Sequence, residues 1–253
     1  MRGRLTRLVK PMSVHPRNSS TNRYLLFEEI FGKSKDSTVL DFGGNSGNLL
    51  YFSNNNIRES NYTNIDVSKI GINYGVKEFP NSKFYYYDRY NWMYNHNGNE
   101  KYNFPTLNSN HYDFVWAYSV FSHTDFDELL ETIKWFCTFK FKKIAVSILD
   151  IANYDMIEYF YNKRVDDYGS CISISEHTQN NILYFFDNNK TTTNSLKLKK
   201  HNCKHFLTFY NIKWLKDKFL QNNIYIDILY PGNKLVPFIV IDSDKYFAYK
   251  GIL

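Results

Sequence analysis

Residues 37–52, STVLDFGGNSGNLLYF, hold three of the chain's eleven glycines within five positions. The preceding VLDF is a short apolar run that contains Asp41, and it is typical of a buried strand with a glycine exit. The following GNLLYF has the spacing of a helix that begins inside the loop. A glycine turn between a strand and a helix lets the backbone approach a ligand closely and presents free N–H groups to it. The stretch therefore predicts a ligand site at the first strand of an α/β fold.

The alternation of strand and helix continues to about residue 150. Further strands are predicted at YTNIDVS, SKFYYYD, YDFVWAYSVFSH and KKIAVSIL, the second and third strands of the sheet ending at Asp66 and Asp88. Helical patterns are NSSTNRYLLFEEIFG before the first strand, KIGINYGVKEF, and DFDELLETIKWFCTF with Asp125 as its cap. This alternation of strands and helices predicts a doubly wound, mostly parallel sheet with helices on both faces.

The remaining residues complete the predicted architecture. An insertion at about 151–205, which contains a β-like CISISEH, is expected over the ligand edge of the sheet. In 206–253, the helix NIKWLKDKFLQNN precedes two strands, IYIDILYP and PFIVIDS, expected to form an antiparallel hairpin that closes a seven-stranded sheet. We therefore expect one domain over residues 1–253, with 18–150 as its ligand-binding half.

Composition limits the class of protein. Phe, Tyr, Asn, Lys and Ile are all abundant, as mutational bias toward AT-rich codons would produce, so we do not interpret the net charge of +6 as evidence for a nucleic-acid partner. Residues 1–17 carry several basic residues and no acid. We interpret them as a solvated leader; an organellar targeting segment or a basic arm are the alternatives.

Cysteine usage and hydropathy indicate the compartment. Cys137, Cys171 and Cys203 are far apart and form no CxxC pair, which argues against a disulfide framework or a metal site and fits a reducing compartment. No apolar stretch reaches the roughly 18 residues that a membrane span needs. The sequence predicts a cytoplasmic protein.

The spacing of the glycine loop excludes two classes of ligand. A Walker phosphate loop needs a Lys-Ser/Thr pair after its last glycine, and the chain has none there. A dinucleotide fingerprint would need glycines at positions that hold Asn45 and Asn48. Asp41, two residues before the first glycine, suits a ligand with an ammonium group.

VLDFGGNSG resembles the first motif of the class I S-adenosylmethionine-dependent methyltransferases, V-L-D-x-G-x-G-x-G. Gly43 and Gly47 stand at the outer glycine positions, and Asn45 replaces the middle glycine, a mild change because Asn tolerates a positive φ. The acids that end the next two strands and the hairpin at the end of the chain extend the resemblance to about residues 24–150 and 208–243.

The resemblance implies S-adenosylmethionine as cofactor. In that family the glycine loop holds the amino-acid end of the cofactor, the acid after the second strand holds the ribose hydroxyls, and the acid after the third meets the adenine amino group. The loop positions that correspond here are Asp41, Gly43, Gly44, Asn45 and Gly47. Asp66 corresponds to the acid that holds the ribose, and Asp88, flanked by Val67 and Arg89, to the acid that meets the adenine. Tyr118 and Tyr24 are expected around the cofactor.

His123, just after the fourth strand, is the candidate base, because a histidine titrates in the useful range. Tyr118 and Ser119 line the same edge. The insertion holds His177 and His201, which with His205 we expect at the surface. The fourth strand lacks the Asn/Asp-Pro-Pro-Tyr pattern of enzymes that methylate nucleobase or glutamine nitrogens. The resemblance therefore favours an O or N atom of a small molecule or natural product, including a peptidic one.

Two alternatives stay open. The basic leader and the Lys-rich residues 196–204 (LKLKKHNCK) suit an RNA methyltransferase with phosphate contacts. The chain would otherwise be a non-catalytic partner subunit that keeps the fold, although the retained loop and Asp66 argue against this. The sequence leaves the oligomeric state open.

Overall fold

The computed structural model describes residues 23–33, 35–91, 94–155, 157, 172–177, 182–187, 207–232 and 236–251. The predicted leader (1–17), most of the insertion, the Lys-rich residues 196–204, His201 and His205 lie outside these ranges. Within them, no helix combines the length and the apolarity needed to cross a bilayer.

A seven-stranded sheet forms the centre of the fold, as the strand–helix alternation predicts. Its strands are β1 (Val39–Phe42), β2 (Tyr62–Asp66), β3 (Lys83–Tyr86), β4 (His111–Ala117), β5 (Lys140–Ser147), β10 (Asp227–Leu229) and β11 (Phe238–Asp242). Their order across the sheet is β10-β11-β5-β4-β1-β2-β3. The first five run parallel, and β11 pairs antiparallel with both β5 and β10, so the closing hairpin is confirmed.

Among the described residues, the helices that accompany the sheet include α1 (Arg23–Phe31), α2 (Asn48–Phe52), α3 (Lys69–Glu78), α4 (Phe126–Phe136), α5 (Ile212–Gln221) and α6 (Ser243–Tyr249). Local capping explains where several begin: Asp125 accepts from Glu128 N at the start of α4, and Asn211 accepts from Trp214 N at the start of α5. The short α6, capped by Asp242, is absent from the sequence-based prediction.

Helices cover both faces of the sheet, as predicted. On one face, α1 and α2 pack Phe27 and Leu49 against Trp116 of β4. On the other, α4 and α5 pack Phe136 and Phe219 in the cluster that contains the inner residues of β1, β2 and β5. The central strands β1, β2, β4 and β5 are thus largely buried from two sides, whereas the edge strands β3 and β10 stay partly exposed. The loops therefore meet at the carboxyl edge of the sheet.

A second, four-stranded sheet begins at that edge. It contains β6 (Leu149–Asp150), β7 (Ile172–His177), β8 (Ile182–Asp187) and β9 (Leu207–Tyr210), in the order β6-β9-β8-β7. β6 directly follows β5, and Thr208 of β9 donates to the Thr124 carbonyl (2.6 Å) beside the end of β4. The predicted β-like segment is β7, whereas β8 and β9 were not predicted. The described part of the insertion therefore lies beside the ligand edge.

Candidate functional site

A cavity of about 350 Å³ opens at the carboxyl edge of the parallel strands. Its walls come from the loop after β1, the ends of β2 and β4, the chain that follows β3, and the first residues of α1 and α4. Of the residues predicted from the sequence to form the site, seven line it: Gly43, Asn45, Asp66, Val67, Arg89, Tyr118 and His123, with Ser119 beside them. The parallel topology brings them together because all these strands end at one edge.

Asp66 fixes the shape of the glycine loop. It is buried at the end of β2, where its Oδ2 accepts from Asn45 N (2.7 Å) and its Oδ1 accepts from Ser68 N (2.7 Å). Asn64, also in β2, donates its Nδ2 to the Asn45 carbonyl (2.7 Å). Asn45 is held on both sides at a φ of 55°, as its place in the motif implies. Carboxylate and loop are therefore one rigid unit.

The glycines are needed for close packing. Gly43 has a φ of 80°, and a Cβ there would lie 2.2 Å from Val120 Cγ2. A Cβ on Gly44 would lie 2.1 Å from Asn64 Oδ1 and 2.3 Å from Asp41 Oδ2. Gly47, at the start of α2, would bring a Cβ within 3.1 Å of Phe79. The loop thus passes directly over side chains of β1, β2 and the turn after β4.

Asp41 lies beneath the loop and does not line the cavity. It is buried in β1, one residue before the strand ends, and its Oδ2 accepts from the Tyr62 hydroxyl. The Asp41 carboxylate is therefore not placed for direct contact with the ammonium group of a ligand, as the sequence suggested. Gly44 and Gly47 belong to the loop but do not line the cavity, and Asp41 supports the loop from below.

Burial raises the pKa of both carboxyls. The pKa of Asp66 rises from its ordinary value of 3.8 to about 6, because desolvation outweighs the bonds from Ser68 and Asn45. The pKa of Asp41 rises to about 7, because burial outweighs the Tyr62 hydrogen bond. The Arg23 guanidinium opposes both shifts. Both buried carboxyls of the site therefore have pKa values close to neutral pH.

Arg23 is a residue of the site that the sequence analysis missed. It begins α1, lines the cavity, and lies with its Cζ 5.3 Å from the centre of the Tyr118 ring. Tyr24, which was predicted instead, is buried in the core with Phe27 and does not line the cavity. Neighbouring residues of a helix point about 100° apart, so only one of the two faces the site. The signal available in the sequence was the phase of the helix, with Tyr24, Phe27 and Ile30 on its buried face.

Asp88 also differs from expectation. β3 ends at Tyr86, and Arg89 N donates to the Tyr87 carbonyl (2.7 Å), a tight turn centred on Asp88. The turn directs Tyr87 and Arg89 into the cavity wall and leaves Asp88 exposed, accepting from the Tyr86 hydroxyl (3.0 Å). Arg89 in turn forms a partly buried ion pair with Glu128 of α4 (2.8 Å). The acid predicted to meet an adenine points away from the cavity.

The opposite end of the cavity follows β4. Tyr118 stacks on Trp116, and Ser119, at a φ of 59°, donates its N–H to Ser147 Oγ of β5 (2.7 Å). His123 lies in the single helical turn Phe121–His123, whose residue Phe121 is buried. His123 is half-buried in the wall. This end therefore presents hydroxyl and imidazole groups.

Five buried polar atoms in the cavity wall have no hydrogen-bond partner among the described residues. They are Arg23 Nε, Asn48 Oδ1, Tyr87 Oη, Arg89 Nε and Thr124 Oγ1. Leaving a buried donor or acceptor unpaired costs about 1–3 kcal/mol, so such atoms are rare in native proteins without a reason. Their concentration in one wall indicates a site built for a polar ligand.

Comparison with known proteins identifies the fold. No family model and no curated protein matches the chain. Among solved structures, the PH0226 protein from Pyrococcus horikoshii OT3 is 13% identical with a TM-score of 0.56, covering 90% of this chain and 96% of that one. SAM-bound CalS10, an amino pentose methyltransferase from Micromonospora echinaspora, is 9% identical with a TM-score of 0.51, covering 90% and 94%. The CcbJ methyltransferase from Streptomyces caelestis is 9% identical with a TM-score of 0.51, covering 87% and 88%.

The chain has the fold of S-adenosylmethionine-dependent methyltransferases. The strand order with an antiparallel closing hairpin and the glycine loop at β1 agree with that likeness over most of the chain. At these identities, the likeness establishes the architecture.

Proposed function

We propose that this protein transfers a methyl group from S-adenosylmethionine to an O or N atom of a small-molecule acceptor. The observation that carries the proposal is the buried Asp66 carboxylate, which holds the glycine loop and at the same time lines a cavity with five unpartnered polar atoms. The cofactor has a matching set of polar groups: two ribose hydroxyls, an adenine, an ammonium and a carboxylate.

The chain's residues fit these groups one by one. A carboxylate has about four acceptor sites; Asp66 accepts from the N–H groups of Asn45 and Ser68 and more weakly from that of Val67, which leaves acceptor capacity for a ribose hydroxyl. Val67 and Val120 offer apolar surfaces for the adenine. Arg23, with an unpartnered Nε, is suited to a carboxylate, which a guanidinium binds in a planar, bidentate manner. Asp41 supports this arrangement through the loop above it.

The bound cofactor supplies an activated methyl group on a sulfonium, so the protein has to align the acceptor and receive at most one proton. His123, at the β4 end of the cavity, is the group that would receive it, and Ser119 lies beside it. The size of the cavity falls within the range of about 300–1,000 Å³ typical of small-molecule sites. An acceptor of the natural-product class is supported by CalS10, whose own acceptor is an amino pentose.

The purified protein is expected to bind S-adenosylhomocysteine with a dissociation constant in the micromolar range, or about −8 kcal/mol. Ligand that binds only the folded state raises its stability, so the melting temperature should rise with ligand concentration. Isothermal titration calorimetry and a thermal shift series measure both. No heat and no shift at millimolar S-adenosylhomocysteine would contradict the proposal.

His123→Ala is expected to lower kcat by about a hundredfold or more, the usual contribution of a general base, while leaving S-adenosylhomocysteine affinity unchanged. The assay is transfer of a labelled methyl group from S-adenosylmethionine to a panel of amines, phenols and sugars. His111→Ala is the matched control, because His111 is exposed at the opposite end of β4. Equal turnover of the two variants would remove His123 as the base.

A further inference from the structure

A short hairpin follows β3 and reaches the mouth of the cavity. Asn91 and Asn95 exchange two backbone hydrogen bonds of 2.9 Å, and Tyr94 N donates to Asn91 Oδ1 (3.0 Å). Residues 92 and 93 lie outside the described ranges, so the name 91–95 hairpin refers here to Asn91, Tyr94 and Asn95 and the bonds between them. It places Tyr94 in the cavity wall, although 44% of that residue is exposed. The tyrosine therefore stands at the rim.

Asp88 holds the base of this hairpin. Its Oδ1 accepts from Asn95 Nδ2 (3.1 Å) and from the Tyr86 hydroxyl (3.0 Å), and its backbone carbonyl accepts from Asn99 N (2.9 Å). Asn95 Nδ2 is shared with the Arg89 carbonyl (3.0 Å). The packing is tight: a Cβ on Gly98 would lie 2.4 Å from Arg89 O and from Asn95 Nδ2. The carboxylate predicted to bind adenine is thus engaged on the outer side of the wall.

Tyr94 lines the same cavity as Asp66 and Arg23. Burial raises the pKa of its phenol, and the next cause is the charge of Asp66, opposed by that of Arg23. The phenol thus shares the cavity with the carboxylate assigned to the ribose, while part of the side chain stays in contact with solvent. Arg23 stands on α1 and Tyr94 on the hairpin after β3, so they approach Asp66 from separate elements.

We propose that Tyr94 covers the ribose and adenine of the bound cofactor, and that Asp88 is a positioning residue that acts through Asn95 on the 91–95 hairpin rather than by contacting the adenine. This inference rests on the proposed function. It explains why an exposed carboxylate accepts from two side chains, because the hydrogen bonds of Asp88 set where the tyrosine stands. Removal of the ring opens the site, and removal of the carboxylate releases the hairpin that carries the ring.

The test is a double-mutant cycle on S-adenosylhomocysteine binding by the full chain. Tyr94→Ala is expected to raise the dissociation constant about tenfold, mainly through faster dissociation, which corresponds to about 1.4 kcal/mol. Asp88→Ala should raise it by a smaller factor. Because Asp88 acts through Tyr94, the double variant should bind no more weakly than Tyr94→Ala alone. Asp88→Asn keeps an acceptor for Asn95 and should restore wild-type affinity.

Two control variants match the test variants in exposure. Tyr225, 39% exposed and bonded to Asp227, lies at the opposite edge of the sheet, and Asp36 pairs with Arg58 on the surface. Tyr225→Ala and Asp36→Ala should leave both the affinity and the dissociation rate unchanged. Isothermal titration and surface plasmon resonance supply the two quantities.

Each outcome decides something. Additive losses in the double variant would show that Asp88 binds the ligand directly, which overturns the positioning assignment. Unchanged binding by Tyr94→Ala, with wild-type protein that binds, would overturn this inference and leave the proposed function standing. Wild-type protein that binds no S-adenosylhomocysteine would overturn the proposed function and this inference with it.

Discussion

Asp66→Ala is expected to weaken S-adenosylhomocysteine binding by about a hundredfold or more. A hydrogen bond to a charged group contributes about 1.5–3 kcal/mol, and a ribose hydroxyl is expected to donate to this carboxylate. The substitution also frees Asn45 N and Ser68 N, two backbone donors that Asp66 accepts from. The loop over the cavity then loses its fixed shape, so the loss of affinity exceeds that of the direct contact.

A structural carboxylate elsewhere in the fold separates the two effects. Asp113 accepts from Thr38 N (2.8 Å) and pairs with Lys142 (2.7 Å), but it lies near the start of β4, at the edge opposite the cavity. Asp113→Ala should lower the melting temperature and keep S-adenosylhomocysteine affinity. If calorimetry finds the same affinity for Asp66→Ala and Asp113→Ala, Asp66 does not hold the ligand.

The pH dependence of S-adenosylhomocysteine affinity is an independent test of the role of the Asp66 carboxylate. With a pKa of about 6, its carboxylate is ionised above pH 7 and ready to accept from hydroxyls. Affinity should therefore fall as the pH is lowered from 7 to 5, by up to about tenfold per unit below the pKa. Asp66→Asn removes this group from the titration, which leaves Asp41, with a pKa of about 7, as the remaining buried carboxyl of the site.

Stability of the ligand-free protein should move in the opposite direction. The folded-state pKa of Asp66 lies above its ordinary value of 3.8, so between about pH 4 and pH 6 the folded protein binds more protons than the unfolded chain. The contribution to stability is present below that window and is lost as the pH rises through about 6. Hence acidification should increase the contribution of Asp66 to stability and decrease the affinity for S-adenosylhomocysteine. If stability and affinity both fell as the pH was lowered from 7 to 5, a raised pKa of Asp66 would be excluded as their common cause.

The glycine loop and Asp66 were predictable because their signals are local. Glycine spacing reports backbone conformation and close approach, and an acid at the end of a buried strand of a parallel sheet can only lie at the carboxyl edge. The loop, the strand order and the two-sided core followed from such patterns. The strand that holds Asp41 was also predicted correctly, but the Tyr62 hydroxyl beneath the loop is a contact between strands that no single stretch encodes.

Three features depend on geometry that the sequence does not carry. The turn at Asp88 reverses which side chains face inward, since a strand pattern assumes alternation up to the last residue. Arg23 and Tyr24 exchange places because the phase of α1 is set by packing on β4. β8 and β9 pair with each other over a long separation, and a short apolar run does not reveal its partner.

Gly43→Ala is expected to destabilise the protein by about 2–5 kcal/mol. The left-handed conformation of Gly43, with a φ of 80°, costs an L-residue about 1–2 kcal/mol, and overpacking adds about 1–3 kcal/mol. The overpacking comes from Val120 Cγ2 at 2.2 Å, while Val120 Cβ lies at 3.6 Å, an ordinary contact. Val120 lines the cavity, so its displacement should also weaken S-adenosylhomocysteine binding.

The Val120→Ala background isolates the two causes. It removes the clashing methyl group, so Gly43→Ala should then cost only the conformational part, about 1–2 kcal/mol. Gly32→Ala, at a φ of 75° with nothing within 4 Å of its Cβ, should cost the same as that remainder. Urea denaturation of the four proteins of the cycle and of Gly32→Ala measures each step. A full cost in the Val120→Ala background would show that the contact with Val120 does not contribute to it. A cost reduced to that of Gly32→Ala would show that overpacking against Val120 adds to the backbone strain, because the loop lies so close to the turn after β4 that brings Val120 to the cavity wall.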